Sequence, residues 1–594
     1  MRNPNERGSA LVLVMFVALL LTILGLAVLG ATVGGAQRTE TRENDVQSLH
    51  LAQKGLDETA AYIQTKLDGR KDIDPDHMED EIKDIVLEIK NKMVVDSYDV
   101  STDLSGAGGT IKSIAYEKKD GQKYYINIAA EATVNGVTRQ LKQQVVIDTY
   151  PDFLKYAFGS EGTLTLNGAP AIHGNIYAGE KLVISDIANY KYKGLDWLYK
   201  QTQYPRVEKN RTSAASTEPL PEVHVQSLER IEYSGNGVVN AAVNKTNAST
   251  ILPSILGITK DQVFFKSQKK FIQINVQESF ADKVVEATSL VGSKAEIMRA
   301  IENGSLGNFL STIALERLPD ANPPFIKPTL ESNPTKEQTD AYNLAIADYE
   351  MKVRVYQNKL LLNRTESAIY NSDLLIDGIE YKQLTFSDEA KMGTSSGKPK
   401  WLIVNGNLEI NNYNSERSNF LNIQANILVT GNVTIRGQVK FNSTMFVLGT
   451  TTVEDAVIQG LGAKELVLIS QGNVLINRID AFSNPPEASK QDEFYMKAFF
   501  YTDSNADLYG VGSIFWLNGG FFAKKDLTVN AALGEVKEPL TPAEGFEDQG
   551  SERYQMGHRF QIQYNKDVFT HQQSSLPRVQ QVNVTVGPLE LVSH

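Results

Sequence analysis

The residue types that carry most enzyme chemistry are absent from this chain or scattered through it. There is no cysteine, which excludes disulfides, thiol nucleophiles and cysteine-ligated zinc. The seven histidines, at 50, 77, 173, 224, 558, 571 and 594, form no H-E-x-x-H pair, and neither a P-loop nor a G-x-S-x-G elbow occurs. Two acidic runs, Asp72/Asp74/Asp76 and Asp503/Asn505/Asp507, place oxygen ligands at the alternate positions that open a calcium loop. Neither continues with glycine at the sixth position or glutamate at the twelfth, so they read as helix-terminus or turn acids, with calcium as the alternative. A formal charge of −12 does not suit a phosphate-binding surface, so nucleic acid is not expected as the main partner. What remains is function by contact. No catalytic, cofactor or metal site is expected, and a carbohydrate-active enzyme stays open only through acids that a repetitive β core would align along one face.

The elements that would make such contacts start at the N-terminus. A charged leader, MRNPNERG, is followed from Ala10 to Val33 by a run with no ionisable side chain. About 24 helical residues at ~1.5 Å each reach ~36 Å, enough to cross a hydrocarbon core of ~30 Å with some tilt. Arg2, Arg7 and the initiating amine precede the run with only Glu6 against them, so the positive-inside bias puts the N-terminus in the cytoplasm and the later domains outside. The competing reading is a secretory signal cut after Gly34-Gly35-Ala36, but such signals have apolar regions of only ~7–15 residues. Gly30 and Gly34 make a G-x-x-x-G spacing, readable as a helix-packing face or as small residues at a membrane exit.

The string ERGSALVLVMFVALLLTILGLAVLG, followed by LHLAQKGLDETAAYI, resembles the N-terminal region of PilX-type minor pilins and K-type minor pseudopilins of type IV pilus and type II secretion-like fibres. The resemblance covers residues 6–65. It implies that prepilin peptidase cuts after Gly8 and leaves a new amine on Ser9. The freed helix would then leave the lipid, held by residues 9–35, and pack among other pilin-like subunits of a pilus or secretion assembly machinery. Major pilins carry glutamate at the fifth position after the cut, paired with a neighbour's amine; here that position is Leu13. An unpaired carboxylate at membrane depth costs about 2.5 kcal/mol or more, and leucine needs no partner. The role implied is a non-catalytic minor subunit acting in assembly initiation, tip display or surface adhesion, touching a cell-wall or surface ligand. The alternatives are an uncleaved envelope scaffold and a cell-surface carbohydrate-active enzyme.

Past the membrane segment, Val46, Leu49, Ala52, Leu56, Ala60, Ile63 and Leu67 recur at helical steps and predict one apolar stripe on a polar helix. A second amphipathic helix follows, with Ile82, Ile85, Val86 and Ile89 on one face. Three alternating runs joined by Asp120-Gly121 and Asn135-Gly136 predict an antiparallel meander.

After Pro151, short apolar pieces alternate with glycine and asparagine. VNGNLEI, VTGNVTI, VLGTTTV and SQGNVLI put glycine at 406, 431, 449 and 472, which predicts a β-solenoid of roughly 20-residue coils, with alternating β-sandwich strands as the competing reading. Thr335 and Gln338 form a capping box ahead of a helix whose Tyr342, Ile346, Tyr349, Val353, Tyr356 and Leu360 share a face. The closing FQIQYNKDVFTHQQSSLPRV, similar to the end of PilX-like solenoid proteins, is expected to cap the solenoid.

The expected fold class is α+β and membrane-anchored: a long N-terminal pilin-like helix, a small meander domain, and a mainly β, solenoid head with a helical insertion. The expected boundaries are a leader at 1–8, a transmembrane part at 9–35 and an extracytoplasmic part of the same helix at 36–68. A small α+β domain at 69–150 and the solenoid start at 151–190 follow, then a mixed helical insertion at 191–398 and solenoid continuation with cap at 399–594.

Overall fold

The computed structural model describes residues 6–68, 78–95, 107–120, 123–192, 195–210, 219–265, 274–290, 292–313, 316–318, 325–361, 363–378, 381, 383–387, 399–413, 419–477, 482, 494–537, 557–568, 575–577 and 582–592. Two compact units result, Met1–Thr149 with Gln581–His594, and Tyr150–Gln580. A long N-terminal apolar helix leads into a strand-rich mixed α/β body.

In the first unit, α1 (Glu6–Asp68) runs unbroken for 63 residues, ~95 Å at ~1.5 Å per residue. Its C-terminal half packs on a sheet of β1 (Ala107–Asp120), β2 (Lys123–Val134) and β3 (Val137–Asp148), burying Leu51, Ala52, Leu56, Ala60, Ile63 and Leu67. The second helix, α2 (Met78–Val95), buries Ile82, Ile85, Val86 and Ile89 and packs on β1. Glu88 of α2 accepts hydrogen bonds from the Tyr62 hydroxyl (2.7 Å) and the Lys66 ammonium (3.1 Å), tying the two helices together. All three strands are antiparallel, and the β2–β3 turn is built on Asn135 (φ 47°) and Gly136 (φ 82°). Two consecutive left-handed residues match the twist of a hairpin, which is why Asn-Gly occupies the turn.

Two expectations for this unit are corrected. The buried row on α1 starts at Asn44 and Ser48, whereas Val46 is 51% exposed and Leu49 half-buried. Its polar members are satisfied locally: Asn135 Nδ2 donates to Asn44 Oδ1 (3.1 Å), and the Ser48 and Thr59 hydroxyls donate to the carbonyls of Asp45 and Gly55 (2.9 and 2.8 Å). Hydrogen-bonded small polar residues bury at little cost, so the expected stripe holds from Ala52 to Leu67 and fails only at Val46 and Leu49, where hydrophobicity passes over Asn44 and Ser48. The sheet also has members that the boundary at residue 150 excluded. Asn583–Val586 and Glu590–Leu591 pair antiparallel with β3, so the end of the chain extends this sheet instead of capping the other unit. The second unit is thus inserted in sequence between two hydrogen-bonded neighbours.

The second unit is built from parallel ladders. One passes through Glu316–Leu318, Ala368–Tyr370, Trp401–Val404, Asn426–Val429, 443–447, Leu466–Ser470, Met496–Thr502 and 521–523, then through Phe158–Ser160, Ile176–Ala178, Val223–Val225 and Val263–Phe265. A companion ladder keeps like residues in register, with Ile410, Ile435, Val453, Ile476, Leu508, Val529 and Leu166 aligned from strand to strand. Trp401–Val404 and Leu466–Ser470 are buried at every position, as parallel strands covered on both faces must be. The helix Val276–Thr288 and the two short helices after it, Lys294–Glu302 and Leu306–Thr312, cover the outer face. Phe280, Val284, Ile297 and Leu310 share a core cluster with Ile403, Leu428 and Phe446. The companion strand Leu408–Asn412 instead alternates between buried and half-buried.

The chain enters this stack in its middle. From Phe158–Ser160 it builds to Val263–Phe265, crosses through the covering helices, restarts at Glu316–Leu318 and returns until 521–523 pairs with Phe158–Ser160. This order corrects two boundaries. Residues 191–398 are no foreign insertion, since Val223–Val225, Ile231–Gly235, Ala368–Tyr370 and Leu374–Asp377 are ladder strands. Nor does Phe560–Tyr564 close an end: it pairs with 515–519 on one side and Ala171–His173 on the other. The helix Lys336–Leu361 has its capping box, with Thr335 N–H on Gln338 Oε1 (2.8 Å) and Gln338 N–H on Thr335 Oγ1 (3.2 Å). Its tyrosine face is only half-buried; Leu360 lies outside the residues whose side chains are described.

Candidate functional site

Gly8, Ser9 and Leu13 all fall within the first turns of α1. Leu13 is 64% exposed, and the apolar residues from Leu11 to Val33 are exposed with it. α1 is the one helix among the described residues long and apolar enough to cross a membrane. Within Ala10–Val33 the polar side chains are Thr22 and Thr32, and each hydroxyl donates to a carbonyl one turn back, Thr22 to Ala18 (2.6 Å) and Thr32 to Val28 (2.9 Å). Both polar side chains of Ala10–Val33 are therefore satisfied by the helix itself, the condition for a segment in contact with lipid. No heavy atom of another element lies within 4 Å of where a Cβ would stand on Gly25, Gly30 or Gly34, so the G-x-x-x-G spacing packs against nothing else among the described residues.

The second unit presents a different surface. Along one edge of the stack, Gly406, Gly431, Gly449 and Gly472 lie one above another, the N–H of each of the last three donating to the glycine carbonyl of the preceding turn at 2.9, 3.0 and 2.9 Å. A Cβ on Gly449 would stand 2.4 Å from Gly431 O, and one on Gly472 2.5 Å from Gly449 O. The asparagines that follow the first two glycines cap the next turns: Asn407 Oδ1 accepts from Asn432 N–H and Asn432 Oδ1 from Thr450 N–H, both at 2.8 Å. The repeated G-N of the sequence is thus the signature of tightly stacked turns.

Further along the same edge the pattern breaks. The next turns carry Asp503-Ser504-Asn505, Lys524-Lys525-Asp526, Glu161-Gly162 and Glu180, and they line an open cleft of about 870 Å³ together with Gln471. Asp503 accepts from the Tyr501 hydroxyl (3.0 Å) and lies 3.5 Å from the Lys524 ammonium. Burial pushes its carboxyl up, against the pull of Lys524. Asn505 Oδ1 takes Asp526 N–H (3.2 Å) and Asp526 Oδ1 takes Thr163 N–H (2.8 Å), continuing the capping row. The run Asp503/Asn505/Asp507 is therefore a turn and the start of a strand; Asp72, Asp74 and Asp76 lie outside the described residues. No group of three or more His, Asp or Glu side chains suited to a metal ion occurs among the described residues.

Of the four described histidines, His50 is exposed on α1 and the other three are held in packing roles. His173 is fully buried, with Nδ1 3.2 Å from Lys209 O. The His224 ring stacks on Phe264 and sits 2.8 Å from Glu222, and His558 Nδ1 is 2.8 Å from Ala169 O. The cleft was missed from sequence because its residues come from both ends of the second unit, and only the fold makes them neighbours.

No family model matches the chain, and no curated protein matches it. Among solved structures it is similar to the competence-associated pilin ComZ from Thermus thermophilus, with 12% identity over 84% of this chain and 86% of that one, at a TM-score of 0.27.

Proposed function

We propose that this chain is a membrane-anchored, non-catalytic, pilin-like minor subunit of the PilX type, which joins a type IV pilus or type II secretion-like fibre through α1 and displays its second unit outside the cell. The observation that carries the reading is α1 itself. One unbroken 63-residue helix has an apolar, fully exposed N-terminal half and a C-terminal half packed on an antiparallel sheet. A simple anchor has no need for the spanning segment to continue rigidly into the first domain. A subunit drawn from lipid into a fibre does, because the same face that meets lipid must then meet neighbouring helices.

On this reading prepilin peptidase cuts between Gly8 and Ser9, the N-terminus begins in the cytoplasm, and Leu13 suits a fibre end where no partner amine is offered. The parallel ladders and stacked glycines support a β-solenoid as the architecture of the display unit, with polar turns and covered faces fitted to contact. Mass spectrometry of the N-terminal peptide from native envelopes tests the proposal. A start at Ser9 is expected. A start at Met1 would replace it with an uncleaved scaffold, and a start at Gln37 with a secreted protein.

A further inference from the structure

We infer that the polar cleft along the turn edge of the second unit binds a saccharide chain. The turns before it stack Gly406, Gly431, Gly449 and Gly472 one on the next, and a glycine at that position adds no side chain to the edge. Of the four next turns, three hold Ser504, Lys525 and Glu180 at the glycine position and one keeps Gly162; the positions before these four hold Asp503, Lys524, Gly179 and Glu161 respectively. Stacking the turns does not require these substitutions. A local departure from a repeat's own structural rule is where function is expected.

The volume, about 870 Å³, is that of a ligand site, and its walls are contributed by successive turns ~4.8 Å apart, close to the length of one pyranose in an extended chain. The lining offers carboxylate acceptors, ammonium and amide donors and a hydroxyl side by side. Sugar hydroxyls, each both donor and acceptor, match such a mixture, whereas a polyanion would meet four carboxylates against two lysines. Most of the polar groups are already committed to the fold, but among the described residues the Glu180 carboxylate and the Lys525 ammonium take part in no ion pair or hydrogen bond. They are the groups left for a ligand.

The test uses the full-length protein in detergent and three insoluble probes, chitin, cellulose and purified peptidoglycan, followed by titration with soluble fragments of whichever retains it. The expected result is retention on at least one probe, with apparent affinity falling about tenfold or more in the Glu180→Gln/Lys525→Ala variant, the loss of two hydrogen bonds involving charged groups. Both side chains are exposed and neither takes part in a hydrogen bond or ion pair among the described residues, so the variant's thermal unfolding should match the parent's. Failure of all three probes to retain the protein, or equal retention of the variant, overturns the inference. So does retention that follows only a peptide-containing fraction after the glycan is digested. The N-terminal processing experiment is independent, so either proposal can fail without the other.

Discussion

Glu465 precedes a fully buried strand and is itself only 5% exposed. Asn565 Nδ2 donates to Oε1 at 2.8 Å, and the charges nearby are Lys497 and Asp567. Burial dominates and pushes the carboxyl up to about 7, with Asp567 adding to the rise and Lys497 opposing it. An acid whose folded value lies above its unfolded one binds protons more tightly when folded, so stability falls as pH rises from the unfolded value of ~4.3 through about 7. Above that the penalty is complete, about 4 kcal/mol at ~1.4 kcal/mol per unit. Glu465→Gln keeps an oxygen for Asn565 and removes the charge, at the loss of the attraction to Lys497. We expect the variant to be more stable by about 2–3 kcal/mol at pH 8 and indistinguishable at pH 4.5, where the parent is protonated too. In a two-unit chain a single unfolding free energy is not well defined. The quantity to measure is therefore the local opening free energy of amides in Leu466–Ser470, by native-state hydrogen exchange at both pH values after correction for intrinsic rates. A difference between parent and variant that stays constant with pH, or a variant less protected at pH 8, would refute the assignment of a buried, penalised carboxyl.

Two further perturbations probe the second unit. Gly449→Ala puts a Cβ 2.4 Å from Gly431 O and should lower the local opening free energy of amides in Thr451–Gly460 by about 2–3 kcal/mol, read by native-state hydrogen exchange; Gly108→Ala, a control in β1 of the first unit where nothing lies within 4 Å, should leave those amides unchanged. Arg559 is fully buried and donates to the carbonyls of Gly534 (3.2 Å) and Gly512 (3.1 Å), while burial pushes its guanidinium down to about 10. Arg559→Met should leave both carbonyls without that donor and cost about 3 kcal/mol or more, seen as faster proteolysis of the loops around 512 and 534.

How much of this was legible from sequence follows from the range over which each signal acts. Asn135-Gly136 announces its turn because the left-handed backbone it needs is a property of two residues. The glycines at 406, 431, 449 and 472 announce stacked turns because each one's constraint is the carbonyl of the turn before, one coil away in sequence. Asn44 and Ser48 gave no signal, since their burial depends on a hydrogen bond to Asn135 and on a backbone carbonyl that hydrophobicity does not count. The seam between 521–523 and Phe158–Ser160 gave none either. It joins residues some 360 positions apart, and either strand would pair as well with a sequence neighbour. What selects the seam is that Leu527–Ala531 and Thr163–Gly168 present the same inward alternation, Leu527 over Leu164 and Val529 over Leu166, so the ladder continues across the junction without a change of register. A repeat whose coils are interchangeable in pattern fixes the kind of stack and leaves its order to closure. For that reason the polar cleft, which exists only where the two halves meet, could not be found before the order was known.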